Sequence, residues 1–161
     1  MENGRFSIED IARIADIAPS TAEEWIKRGY AIINSASACT VHGALCLTAV
    51  SSLVRHGLTP RRAAEVLKEF ESCDIGPHEH LYVFVLTFGS QVSRTYFYAG
   101  DAAAAERYIQ ELFSVTPVPN NEGEYEAPMP PEAPKFRIVR YDIGPDLQRA
   151  LREIREMQLP R

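Results

Sequence analysis

The sequence predicts an α+β protein, with a four-helix N-terminal domain over residues 1–72 and a small β-β-α-β-α domain over 73–161. Two contrasting patterns predict it. Up to about Phe70 the apolar residues recur at helical spacings of three and four, whereas from Leu81 onward they gather in short Tyr-, Phe- and Val-rich runs. Between the two lies Cys73-Asp74-Ile75-Gly76-Pro77, a loop by composition.

In the N-terminal domain, Ser7 with Asp10 reads as a capping box in which a short acid replaces the usual Glu. Ile8, Ile11, Ala12 and Ala15 then share one helical face. Asp16-Ile17-Ala18 breaks the pattern. Pro19 or Ser20 opens a second helix with Ala22, Trp25 and Ile26 as its apolar stripe. Gly29 closes it behind Lys27 and Arg28, cations suited to a helix C-terminus. Residues 30–47 lack helical period, and Val41-His42-Gly43-Ala44 is expected to form a tight hairpin turn. A third helix is expected after Thr48, stopping at Gly57. Thr59-Pro60 caps a fourth, which carries Ala63, Ala64, Val66, Leu67 and Phe70.

In the second domain, Leu81–Phe88 is apolar on both alternating faces and reads as a strand covered on both sides. Ser93–Ala99 is a second strand. Asp101 caps an Ala-rich helix to Phe113, and 115–118 is a short strand. Residues 117–134, with six prolines and several glutamates, are expected to be a mobile acidic loop. Lys135–Tyr141 is a further strand, and Gly144-Pro145 opens a last helix to about Gln158.

Composition narrows the function classes. No apolar run approaches the roughly 20 residues that span a bilayer. The polar, acidic start is unlike a signal peptide, and three cysteines give no disulfide framework, so a cytoplasmic protein without membrane contact is expected. Net charge is −5, and neither side of a cut after Ser72 is basic: 8 basic and 9 acidic residues precede it, 9 and 13 follow it. Strong non-specific nucleic-acid affinity, which Lys and Arg supply by neutralising phosphates, is therefore not expected; a local basic face remains compatible with the total. No phosphate loop, nucleophile elbow or paired-acid motif is present, so no enzyme, catalytic residue or cofactor is expected.

Phe6-Ser7-Ile8-Glu9-Asp10-Ile11-Ala12, Ile17-Ala18-Pro19-Ser20-Thr21-Ala22, Trp25-Ile26-Lys27-Arg28-Gly29-Tyr30, and then Leu47-Thr48-Ala49-Val50 with His56-Gly57-Leu58-Thr59-Pro60-Arg61-Arg62-Ala63-Ala64-Glu65-Val66-Leu67 together resemble the winged helix-turn-helix of the MerR family. The resemblance covers about residues 5–70. It implies two helices joined by a tight turn, a hairpin wing and two further helices. It also implies double-stranded DNA as partner, with the outward side of the second helix in the major groove. The DNA-binding candidates are Ser20, Thr21, Lys27, Arg28, Arg55, Arg61 and Arg62, the last two at a helix start where backbone amides also meet phosphate. The sequence departs from the family in three ways. Glu23 and Glu24 stand on the expected recognition helix, Ser35–Cys46 contains no Lys or Arg, and a strand-rich domain replaces the long dimerising helix.

The expected function is sequence-specific DNA binding by a transcription regulator acting as a homodimer. The alternative is a protein-interaction module on the same scaffold, motivated by Glu23, Glu24 and the uncharged wing. In a hairpin Cys39 would lie opposite Cys46, and Cys39-x-x-His42-x-x-x-Cys46 has metal-ligand types, with Cys73, His78 or His80 to complete a set. Two small residues filling a wing is the reading adopted, and no metal is expected. His78 and His80 read as a polar strand start. The aromatics Tyr82, Phe84, Phe88, Tyr96, Phe97 and Tyr98 form a core, or line a ligand pocket or an interface, so the second domain is expected to dimerise or to bind a ligand. With two helices covering one face, Tyr96 or Tyr98 would be exposed on the other, making 81–113 and 135–158 the expected dimer surface.

Overall fold

A computed structural model describes residues 6–30, 40–68, 80–88, 91–118, 122–126 and 136–159. The chain is mixed α and β, with six helices and a five-stranded antiparallel sheet among these residues. It divides into two compact units, Met1–Ser72 with Pro145–Arg161, and Cys73–Gly144. The last helix thus groups with the N-terminal helices, where the sequence had suggested the second domain.

Unit 1 holds α1 (Ile8–Ala15), α2 (Pro19–Lys27), α3 (Val41–Arg55), α4 (Pro60–Val66) and most of α6 (Gly144–Gln158). Ser7 and Asp10 form the expected capping box on α1. Three helices end in one hydrogen-bond pattern, in which two successive N–H groups turn back to orphan carbonyls of the last turn. Asp16 and Ile17 do this for α1, Gly29 and Tyr30 for α2, and Gly57 and Leu58 for α3. The turning residue needs positive φ, which Gly29 (71°) and Gly57 (97°) adopt without a Cβ penalty. Asp16 adopts it at 57°.

The hairpin expected at Val41–Ala44 is instead the first turn of α3, capped by the Thr40 hydroxyl accepting from Gly43 N–H at 3.1 Å. The reason is burial. Every residue from Gly43 to Leu53 is buried, so α3 has no polar face to mark its period. Of the expected wing, residues 31–39 lie outside the described residues. α1 packs on α2 and α3, and α4 packs on α3. From α6, Leu147, Ala150 and Ile154 are buried, and Asp146 accepts from Ser52 of α3 at 2.5 Å.

Unit 2 holds β1 (Leu81–Phe88), β2 (Gln91–Ala99), α5 (Ala102–Phe113), β3 (Thr116–Pro117), β4 (Glu124–Glu126) and β5 (Phe136–Asp142). The strand order is β2-β1-β5-β4-β3. Asp101 caps α5 through Ala104 N–H at 2.8 Å. Part of the expected 117–134 loop is ordered sheet. Glu124 and Tyr125 pair with Val139 and Ile138, and Tyr125 is buried. One buried ring among prolines and acids leaves no period to read. The rest of that loop lies largely outside the described residues.

Both alternating faces of β1 are buried, as the apolar run predicted. Tyr82, Phe84 and Leu86 meet Ala105 and Ile109 of α5, with Tyr125 and Ile138 beside them. Tyr96 and Tyr98 join this same cluster, edge-on to Phe113 at 5.2 Å and tilted against Tyr108 at 5.2 Å. They are therefore not bare on an opposite face, which removes the premise of the expected face-to-face dimer.

Candidate nucleic-acid interface

Burial on α2 separates an inner from an outer side. Ala22 and Trp25 are buried, while Ser20, Glu23, Glu24, Lys27 and Arg28 are exposed and Thr21 is half-buried. Small residues make the inner packing possible: Ala12, Ala15 and Ala22 are all but inaccessible, so α1 and α2 approach closely. Ile17, in the turn between α1 and α2, is half-buried.

The outer side is electrically balanced. Arg28 pairs with Glu24 at 2.5 Å, one turn apart. A side-chain hydrogen bond with Tyr30, then the Glu24 charge, raise the Arg28 pKa further above its ordinary value. Two acids and two bases thus occupy the exposed positions of this face.

The other basic candidates differ in their commitments. Arg55 is bound within unit 1, donating to Ser51 Oγ at 2.9 Å, to Asp16 at 3.4 Å and to Asp146 at 2.7 Å. Asp146 is buried enough to push its pKa up. The Ser52 and Arg55 hydrogen bonds and the charges of Arg55 and Arg149 outweigh this, leaving it below the usual carboxylate value. Arg55 therefore joins the end of α1, α3 and α6. Arg61 is the most exposed of these cations, at 79% of its side chain, with Glu65 at 3.5 Å. Arg62 is half-buried. Two of the first amides of α4 are already satisfied, since Arg62 N–H donates to Thr59 Oγ1 and Ala63 N–H to the Thr59 carbonyl. The structure thus gathers Ser20, Thr21, Lys27 and Arg28 on one helix, and Arg61 and Arg62 on another.

No protein-family model matches the chain, and no curated protein matches it.

The metal-ligand pattern loses its hairpin. His42 Nε2 lies 3.4 Å from Cys46 Sγ within α3, and Cys46 is buried. Cys39, Cys73 and His78 lie outside the described residues. Among the described residues no three His, Cys, Asp or Glu side chains are placed to hold a metal ion.

In unit 2, His80 Nδ1 meets Asp142 Oδ2 at 2.6 Å, and its ring stacks on Tyr82 at 5.7 Å. Arg140 spans the Tyr82 ring and Glu106, donating to the latter at 3.0 Å. Tyr125 donates to Glu106 at 2.9 Å, and burial followed by this bond pushes its phenol well above the ordinary value. These groups satisfy one another around the end of α5. The sequence reading missed both networks. Glu24–Arg28 was legible as an i, i+4 pair. Ser52–Asp146 and Arg140–Glu106 join residues far apart in the chain, and no local pattern signals them.

Among the described residues no helix is long and apolar enough to cross a membrane.

Proposed function

We propose that unit 1 is a DNA-binding helix-turn-helix module of a cytoplasmic transcription regulator, with α2 as the element offered to the major groove. One observation carries this reading: α1 and α2 are joined by the tight turn at Asp16–Ala18, pack against each other and leave the outer side of α2 uncovered among the described residues. On that side Ser20, Thr21 and Lys27 are the groups able to reach phosphates or base edges, and Arg28 follows in the last turn. Arg61 and Arg62 supply a second cationic site at the start of α4. The balanced charge of α2 predicts few phosphate contacts and hence a shallow dependence of affinity on salt.

Selection from a random duplex library at low salt tests the reading. An enriched sequence is expected. Exchanging Arg61 and Arg62 together for glutamate should weaken binding to all sequences alike and flatten the salt dependence. No enrichment, together with no salt-dependent binding, would overturn it.

The Glu24–Arg28 pair favours a second reading, in which the same face meets a protein. A neutral surface without surplus cations suits a protein partner better than a polyanion. Under it, the selection fails and the outer face of α2 binds a protein instead.

A further inference from the structure

We propose that a second copy of this chain adds to the sheet of unit 2 at the outer edge of β2, antiparallel and about a two-fold axis at position 97. The inference concerns unit 2 alone and does not depend on the DNA reading.

The strand order ends on β2, so among the described residues no strand lies beyond it. The hydrogen-bond phase of that edge follows from two bonds. Gly100 N–H donates to the His80 carbonyl at 3.2 Å, one step past the Leu81–Ala99 pair. In an antiparallel ladder bonded and non-bonded pairs alternate. Tyr98, Tyr96 and Arg94 therefore bond inward, to Tyr82, Phe84 and Leu86. On the other side of β1, Ile143 N–H donates to the Leu81 carbonyl at 2.9 Å, the opposite phase, as alternation requires. It follows that Thr95 and Ala99 turn their N–H and C=O groups away from β1.

The two edges of the sheet are unlike. β3 is two residues long and ends on Pro117, which has no N–H to donate. β2 is nine residues long without proline or lysine, and Thr95-Tyr96-Phe97-Tyr98-Ala99 carries no charge. The irregularity that would twist an edge away lies at Leu86/Thr87, beyond this stretch. Alternating donors and acceptors along an uncharged aromatic strand are matched by another β-strand.

The strand is its own complement. A two-fold at position 97 sets Thr95 of one copy opposite Ala99 of the other, twice, as hydrogen-bonded pairs. The same register sets Tyr96 opposite Tyr98, also twice, on the face where Phe113 and Tyr108 already hold both rings. Cross-strand aromatic pairs of this kind stabilise a sheet. A second copy thus extends both the backbone ladder and the aromatic row without needing any other partner.

Sedimentation of the full-length protein at about 100 μM, well above a μM-range dissociation constant, should show a dimer. Thr95→Pro should give a monomer with an unchanged far-UV spectrum, because that N–H is not used within its own sheet. With Cys39 and Cys73 replaced by serine, Thr95→Cys combined with Ala99→Cys should oxidise to a covalent dimer. Facing Cα atoms in a hydrogen-bonded pair are about 5.5 Å apart, within disulfide reach. Either single cysteine variant should cross-link far more slowly. A monomeric wild-type protein overturns the proposal. So does a dimer in which the double variant fails to cross-link, since its interface then lies elsewhere. If Thr95→Pro does not fold, the cross-link alone decides.

Discussion

Unit 1 is packed with alanines and branched aliphatic side chains, among them Ile11, Ile14, Leu47 and Leu53, and unit 2 has aromatic rings at its centre. Ala12, Ala15, Ala22, Ala44, Ala49 and Ala63 are nearly inaccessible in the helical unit, beside the buried hydroxyls of Thr48, Ser51 and Ser52. In the sheet unit the central positions are Tyr82, Phe84 and Tyr125, with Tyr96, Tyr98, Tyr108 and Phe113 packed on them. Where alanines meet, helices can approach closely and share short polar links such as Ser52–Asp146. A sheet with a single helix on that face needs rings to fill the wider gap. Each unit should therefore be most sensitive at its own kind of contact, unit 2 at its rings and unit 1 also at its buried alanines.

Removing rings should have the largest effect. Phe84→Ala is expected to cost about 3–5 kcal/mol, and Trp25→Ala, which removes a ring buried in the core of unit 1, a similar amount. Denaturant titration followed by circular dichroism measures both. If Trp25→Ala is nearly neutral, the packing of α2 is wrong. Adding volume tests the close approach of α1 and α2 against an exposed position. Ala12→Leu should cost about 1–3 kcal/mol by overpacking, whereas Ala102→Leu, on the exposed start of α5, should change stability by less than about 0.5 kcal/mol. Equal effects would break the comparison.

The polar links of unit 1 come next. Asp146→Asn should cost about 1 kcal/mol, since the group is partly exposed and screened. Its folded pKa lies below the unfolded value of about 3.9. Its contribution is therefore fully present above that value and is lost as pH falls through the folded pKa. Wild-type and Asp146→Asn stabilities should converge once pH has fallen through that folded pKa; a gap that persists when the carboxyl is protonated removes the charge from the explanation. A comparable effect is expected at Gly57→Ala. There a Cβ meets no neighbour within 4 Å, and only the positive φ is penalised, by about 1 kcal/mol.

Much of the sheet unit was legible in the sequence. An uninterrupted apolar run predicted a doubly covered strand at Leu81–Phe88, and Asp101 before four alanines predicted the start of α5. The helix ends at Gly29 and Gly57 were equally plain, because only glycine meets that backbone without strain. The first turns of α3, before Thr48, were not, because a helix buried on all sides has no alternation between water and core to record its period. Tyr125 was hidden for the converse reason, a single buried side chain among residues of loop composition. At the candidate interface Ser20, Glu23, Glu24 and Lys27 are exposed on α2, Thr21 is half-buried, and the i, i+4 neutralisation of Glu24 with Arg28 was overlooked.

The sequence by itself determined where most helices and strands begin and end, since caps, glycines and apolar spacing act over a few residues. Tertiary structure decided the grouping. It took α6 back to the first helices through Ser52, Arg55 and Asp146, and it turned Tyr96 and Tyr98 onto α5. It also left β2 at the edge of the sheet. Those outcomes depend on which distant surfaces exclude water together, and no local pattern encodes that choice.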